Sequence, residues 1–121
     1  MKLMVIGSKS IKDYDFSRYI FPDVDLIICA DESSTDALAE KYADERNISK
    51  MILKPDYERY ENLAPLARNL YMVDLCDSVL AIWDGNSFDV GEVIKAAKRK
   101  NKHLTIIIPE YVGTRKIFLF N

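Results

Sequence analysis

The chain has only four glycines, four prolines, two cysteines, one histidine and one tryptophan in 121 residues. Two cysteines without metal-ligand spacing exclude a disulfide scaffold and a zinc cluster. Cys29 and Cys76 lie inside apolar stretches and read as small buried hydrophobes. Free thiols suit a reducing cytoplasm, the expected location. With His103 alone, any Ser-His or Cys-His catalyst depends on one position. No stretch approaches the ~20 apolar residues that span a bilayer. The N-terminal apolar run ends by Gly7 without a cleavage pattern, so no signal peptide and no membrane association is expected. A net charge of −2 excludes a global basic field, so nucleic acid is not an expected partner. No repeat, linker or low-complexity tract divides the chain, which reads as one domain over residues 1–121.

What is present is an alternation of short apolar runs with amphipathic segments. Leu3 to Ile6, Val24 to Cys29, Met51 to Leu53, Val79 to Trp83 and Leu104 to Ile108 read as five strands. Their apolar character throughout implies a parallel sheet covered on both faces. Tyr14 to Ile20 reads as a short helix or turn. A helix after the second strand shows Leu38, Ala39, Tyr42 and Ala43 on one face, with Ser33, Ser34 or Thr35 as its cap. Tyr57 to Ala64 reads as loop. Pro65 then opens a helix with Leu66, Leu70 and Val73 on one side. Val90, Val93, Ile94 and Ala97 mark a last helix with a basic final turn. The tail Lys116 to Phe120 is apolar enough to dock, an edge strand being one way to do so, and stands outside the count of five. The fold class is therefore α/β: a three-layer sandwich with a five-stranded, mostly parallel sheet and helices on both faces. Ligands of such sheets bind beyond the carboxyl ends of the strands, where strand order reverses. That selects the loops beginning at Gly7, Ala30, Lys54, Asp84 and Pro109.

Two of those loops lack glycine where an anion cradle needs it. The second reads Ala30-Asp31-Glu32-Ser33-Ser34-Thr35-Asp36, and the fourth reads Asp84-Gly85-Asn86-Ser87-Phe88-Asp89-Val90-Gly91-Glu92. From Met1 to about Pro109 the chain resembles the YspA-like group of the SLOG superfamily. These are Rossmann-like domains related to the lonely-guy phosphoribohydrolases and implicated in binding nucleotide derivatives. The resemblance rests on Val5-Ile6-Gly7-Ser8-Lys9-Ser10, Asp36-Ala37-Leu38-Ala39, Arg68-Asn69 with Met72, and the run Cys76 to Ser87. It implies a nucleotide-derived small molecule as ligand, with Gly7, Ser8, Lys9, Ser33, Ser34, Asp36, Arg68, Asn69, Gly85 and Ser87 as candidate binding residues. In relatives the second loop typically reads Gly-Gly-x-x-Gly-x-Asp, of which this chain keeps only the final acid, Asp36. The fourth typically runs Ser-x-Gly-Thr, whereas Ser87 here precedes Phe88, Asp89 and Val90. Lys9 stands where relatives carry arginine. By the same resemblance Arg68 and Glu92 are the candidate catalytic pair of a phosphoribohydrolase.

Carboxylates at Asp31, Glu32 and Asp89 would fill the space of a phosphate and repel it. A like-charge contact at ~4 Å costs about 1 kcal/mol in water and about 4 kcal/mol at an effective dielectric of ~20. Two or three such contacts would remove most of a micromolar affinity of about 8 kcal/mol. Impaired phosphate binding is therefore expected. Asp31, Glu32, Asp36, Asp84, Asp89 and Glu92 match no defined metal loop, so an acidic rim rather than a metal site is expected, and no cofactor. Arg68 either holds ligand or pairs with an acid such as Asp74 or Glu61. Ser33 and Ser34 sit at the opposite sheet end from His103, which favours capping over nucleophilic catalysis. Tyr57, Tyr60 and Trp83 either line a base pocket or stand as half-buried aromatics. Three functions follow. They are a small-molecule binding module, a degenerate or redesigned scaffold without native activity, and an N-glycosidic hydrolase. A homodimer through an exposed helix face is compatible with each.

Overall fold

The computed structural model describes residues 1–110 and 115–120. Six strands form one sheet: β1 (Lys2–Gly7), β2 (Leu26–Cys29), β3 (Ser49–Ile52), β4 (Ser78–Ile82), β5 (His103–Ile108) and β6 (Lys116–Phe120). Their order is β3-β2-β1-β4-β5-β6. The first five pair in parallel, and β6 runs antiparallel to β5 from Leu104↔Phe120 to Ile108↔Lys116. The expected count of five is thus corrected to six. The apolar tail completes the sheet, because the outer main-chain groups of β5 would otherwise lack partners.

Alternate strand residues feed two separate cores. Met4, Ile6, Val79, Ala81, Leu104 and Ile106 pack under helices α3 (Ala64–Leu75) and α4 (Phe88–Arg99). Leu3, Val5, Ile27, Leu80, Ile82 and Ile107 face the other way, toward α1 (Ser34–Glu45). Only one long helix covers that second face. The rest is covered by the irregular stretch after β1, which contains a 3-10 turn at Ser17–Tyr19 and buries Ile11, Phe16, Ile20 and Val24. The layered α/β sandwich expected from strand composition is the one observed. Cys29 and Cys76 are free and buried on opposite sides of the sheet. Burial pushes their thiols up to about 12 and about 11, which suits inert core residues. Among the described residues no helix is long and apolar enough to cross a membrane.

Scarce glycine is replaced by asparagine at helix ends. Asn47 and Asn101 adopt φ 55°, just beyond α1 and α4. The next amides close back onto the last turn, Ile48 N to Ala43 O at 2.9 Å and Lys102 N to Ala97 O at 3.0 Å. Asparagine tolerates this left-handed position better than other side chains with a Cβ. Gly7 is different. A Cβ there would lie 2.1 Å from Thr35 Oγ1, so only glycine lets the end of β1 and the start of α1 touch.

Two local expectations are revised. Residues 57–63 form a short helix, α2 (Tyr57–Tyr60), then a 3-10 turn at Glu61–Leu63. Asp56 caps α2 by accepting from Arg59 N at 3.2 Å, a local satisfaction of helix-end amides that makes a loop unnecessary. In α3 the buried line is Ala64, Arg68, Asn69, Met72 and Val73, with Leu66 and Leu70 only half-buried. Residues 64, 68 and 72 recur every fourth position and so lie on one face. The arginine among them carries the functional consequence.

Candidate functional site

Strand order reverses between β1 and β4, since the chain leaves β1 toward β2 and leaves β4 toward β5. A cleft of about 290 Å³ opens there, beyond the carboxyl ends of the strands. Gly7, Ser8 and Lys9 come from the end of β1, and Ala30, Glu32, Ser33 and Asp36 from the loop into α1. Arg68, Asn69 and Met72 come from α3, and Ser87, Phe88, Asp89 and Val90 from the start of α4. Larger hollows exist elsewhere, but only this one combines the switch point with convergent polar groups and an apolar floor of Ile6, Met72 and Val90.

Eight of the ten expected binding residues line the cleft: Gly7, Ser8, Lys9, Ser33, Asp36, Arg68, Asn69 and Ser87. Ser34 and Gly85 do not. The Ser34 hydroxyl accepts from Asp13 N at 3.0 Å, which holds it toward the irregular stretch after β1. Gly85 adopts φ +82° in the exposed turn after β4 and serves that turn's conformation.

The α1 side of the cleft is closed on itself. Ser33 Oγ accepts from Asp36 N at 3.1 Å, and Asp36 Oδ2 accepts from Ser33 N at 3.1 Å and from Glu32 N at 3.0 Å. This capping box satisfies the helix-end amides reciprocally. Asp36 is buried. Its burial raises the carboxyl pKa, against the opposing pull of those hydrogen bonds.

Arg68 is buried to 5% side-chain exposure and meets Glu32. Nη1 donates to Oε1 at 2.7 Å and Nη2 to Oε2 at 3.4 Å, while Nε donates to Asn69 Oδ1 at 3.0 Å. The hydrogen bond from Arg68 holds the Glu32 carboxyl below its ordinary range, against the opposing effect of burial. The expected partners Asp74 and Glu61 are therefore replaced by Glu32. Asp74 lies on a different face of α3 and pairs with Lys100. Of the three carboxylates expected to repel a phosphate, Asp31 is exposed and pairs with Lys54 at 3.5 Å. Glu32 is neutralised by Arg68, and Asp89 alone lines the cleft without an ion-pair partner among the described residues.

The α4 side is arranged differently. Ser8 Oγ and Ser87 Oγ lie 2.7 Å apart, and Ser8 Oγ also accepts from Asp84 N at 3.0 Å. Asp84 organises the loop by accepting from Ser87 N at 2.7 Å, Asn86 N at 2.8 Å and Ser10 Oγ at 2.7 Å. Burial works to raise its pKa, but these hydrogen bonds outweigh it and the carboxyl falls to about 2. Ser87 stands at the N-cap of α4 without making a side-chain cap. Gly91 N is the first amide to reach back, to Ser87 O at 3.2 Å. The amides of Phe88, Asp89 and Val90 thus precede the intrahelical ladder at the cleft wall.

Other candidates lie elsewhere. Glu92 pairs with Lys95 at 3.2 Å and lines a neighbouring groove with Trp83, so it is not brought together with Arg68. Trp83 Nε1 donates to Ser87 O at 3.1 Å. Tyr60 lines a hollow beside α2, and Tyr57 is exposed. His103 starts β5 at the far end of the sheet, its ring edge-on to Phe21. The acids do not converge either: among the described residues no three metal-ligating side chains form a group that could hold an ion. Sequence reasoning missed the apolar floor and the Arg68–Glu32 pair, although the every-fourth-residue line through Arg68 and Met72 signalled a buried arginine. No protein-family model matches this chain, and comparison with curated proteins gives no match.

Proposed function

We propose that this chain is a small-molecule binding domain of the SLOG type, similar to the YspA-like group. Its cleft takes a nucleoside-like ligand of low negative charge. One observation carries the reading. The two strongest anion receptors on the α1 side, the loop amides at Glu32 and Ser33 and the Arg68 guanidinium, each already hold a carboxylate of the chain itself. On the α1 side a phosphate would have to displace Asp36 or Glu32, and a displaced buried carboxylate would need new partners. At the uncapped start of α4 it would meet the Asp89 carboxylate, which lines the same cleft. Phosphate binding is thus impaired by internal competition more than by repulsion. A neutral ligand meets no such competitor. Ser8, Ser87 and Asn69 offer hydroxyl and amide groups to a polar edge, and Ile6, Met72 and Val90 offer a floor to a ring.

Isothermal titration with adenosine, AMP and ADP-ribose at physiological salt tests this. Adenosine is expected to bind at least about tenfold more tightly than AMP, a difference of about 1.4 kcal/mol. Micromolar AMP binding that equals or exceeds adenosine binding overturns the reading.

A further inference from the structure

The two edges of the sheet are built in opposite ways. The β3 edge is four residues long and guarded by charge, with Lys50 held by Glu40 at 3.1 Å and by Asp44 at 2.9 Å. A lysine on a short edge strand is a standard block against strand addition. The β6 edge has no such guard along its centre. Ile117, Phe118 and Leu119 are 41%, 44% and 68% exposed, and β6 pairs with β5 alone. Its outer row of main-chain donors and acceptors faces no strand among the described residues.

We propose that β6 is a self-association surface, where a second copy of this chain adds its own β6 antiparallel across a two-fold axis at Phe118. A main-chain edge is matched by another extended strand. A two-fold pair further requires the strand to complement its own reversal. The run Lys116-Ile117-Phe118-Leu119-Phe120 does so. In that register Ile117 faces the partner's Leu119 on one side of the ribbon, so four exposed aliphatic side chains form one strip. On the other side Phe118 meets its own copy, and Lys116 lies opposite phenylalanine rather than another lysine. A five-residue ribbon falls short of the ~1,200 Å² that specific interfaces bury. The surface continues, however, into a groove of about 500 Å³ between β6 and α4, with Trp83, Phe88, Ile106, Phe118 and Phe120 as apolar walls. Glu92, Lys95 and Lys98 are its charged lining, with Lys98 Nζ 4.3 Å from the Phe120 ring centre. The pairing does not depend on the ligand reading, because no β6 residue lines the cleft, although the groove beside β6 shares Ser87 and Phe88 with it.

Sedimentation velocity over a concentration series tests the proposal with the wild-type chain, Leu119→Lys on β6 and Met51→Lys on β3. Wild type and Met51→Lys are expected to form dimers of equal strength. Leu119→Lys, with a melting curve unchanged at concentrations where both chains are monomeric, should raise the dimer dissociation constant at least about tenfold by placing like charges in the strip. Hydrogen exchange of wild type gives a readout free of mutation: alternate β6 amides should gain protection as concentration rises. A chain monomeric throughout the series, open-ended assembly, a dimer indifferent to Leu119→Lys, or β6 protection independent of concentration each overturns the proposal.

Discussion

At the start of α1, Ser33 accepts from Asp36 N while the Asp36 carboxylate accepts from two loop amides. At the start of α4, on the opposite wall of the same cleft, Ser87 turns its hydroxyl to Ser8 and leaves the helix without a side-chain cap. Both helix starts carry a serine at the N-cap and an acid in the first turn. The difference lies in spacing and surroundings. Asp36 is three residues after Ser33, where a carboxylate reaches back to the cap. Asp89 is two residues after Ser87, and Ser8 draws the hydroxyl away. A helix N-terminus is thus an anion receptor only when its own side chains leave it open.

The contrast can be broken most forcefully at Glu32. Glu32→Ala strips the partner from buried Arg68 and should cost about 1–3 kcal/mol of stability by urea unfolding, less than a fully buried pair because Glu32 is partly exposed. It should also raise AMP affinity at least about tenfold, read by calorimetry. A variant as weak for AMP as wild type would show that the internal carboxylate is not the competitor. The two serines offer a smaller comparison. Ser33→Ala should cost about 1 kcal/mol as a lost cap, whereas Ser87→Ala, which loses one hydroxyl contact and no cap, should cost about half as much. Equal losses would erase the distinction between the two helix starts.

The smallest effect concerns acid. Asp84 and Glu32 both have carboxyls held below their ordinary range in the folded chain. Each therefore contributes stability that is present above the unfolded carboxyl value near ~4. That contribution is lost as pH falls through the folded value, about 2 for Asp84. Asp84→Asn should flatten the stability decline between roughly pH 4 and pH 2, measured by urea midpoints at fixed pH. A decline as steep as that of wild type would reassign the acid sensitivity to other groups.

Legibility in the sequence followed interaction range. The central strands were readable from continuous apolar runs, whereas the exposed edge strand β3 (Ser49–Ile52) only overlaps the expected run Met51 to Leu53. Helix α1 was readable from Leu38, Ala39, Tyr42 and Ala43, which pack where the pattern placed them. A cap among Ser33, Ser34 and Thr35 was readable locally, and the structure selects Ser33, whose partner Asp36 is three residues away. The switch-point rule selected the loops that form the cleft whatever their side chains, whereas Arg68 and Asn69, which lie on α3, entered only through the resemblance. The buried face of α3 was misjudged because Leu66 and Leu70 outrank an arginine on hydropathy. Hydropathy carries no knowledge of the carboxylate that makes Arg68 acceptable inside. Glu92 missed the cleft for a similar reason: its place on α4 depends on the helix rotation against α3, β4 and β5.

By itself the sequence determined a sheet covered on both faces, the three long helices at their observed places and two inert buried thiols. Those features depend on periodicity and on burial of apolar surface, which neighbouring residues encode. Only the tertiary structure decided that Glu32 meets Arg68 across 36 positions, that Asp36 faces inward and Asp31 outward, and that the apolar tail pairs antiparallel with β5. A charge in a sequence carries only its sign. Whether it repels a ligand, replaces one or caps a helix depends on which opposite charge and which amides the fold brings within about 3 Å.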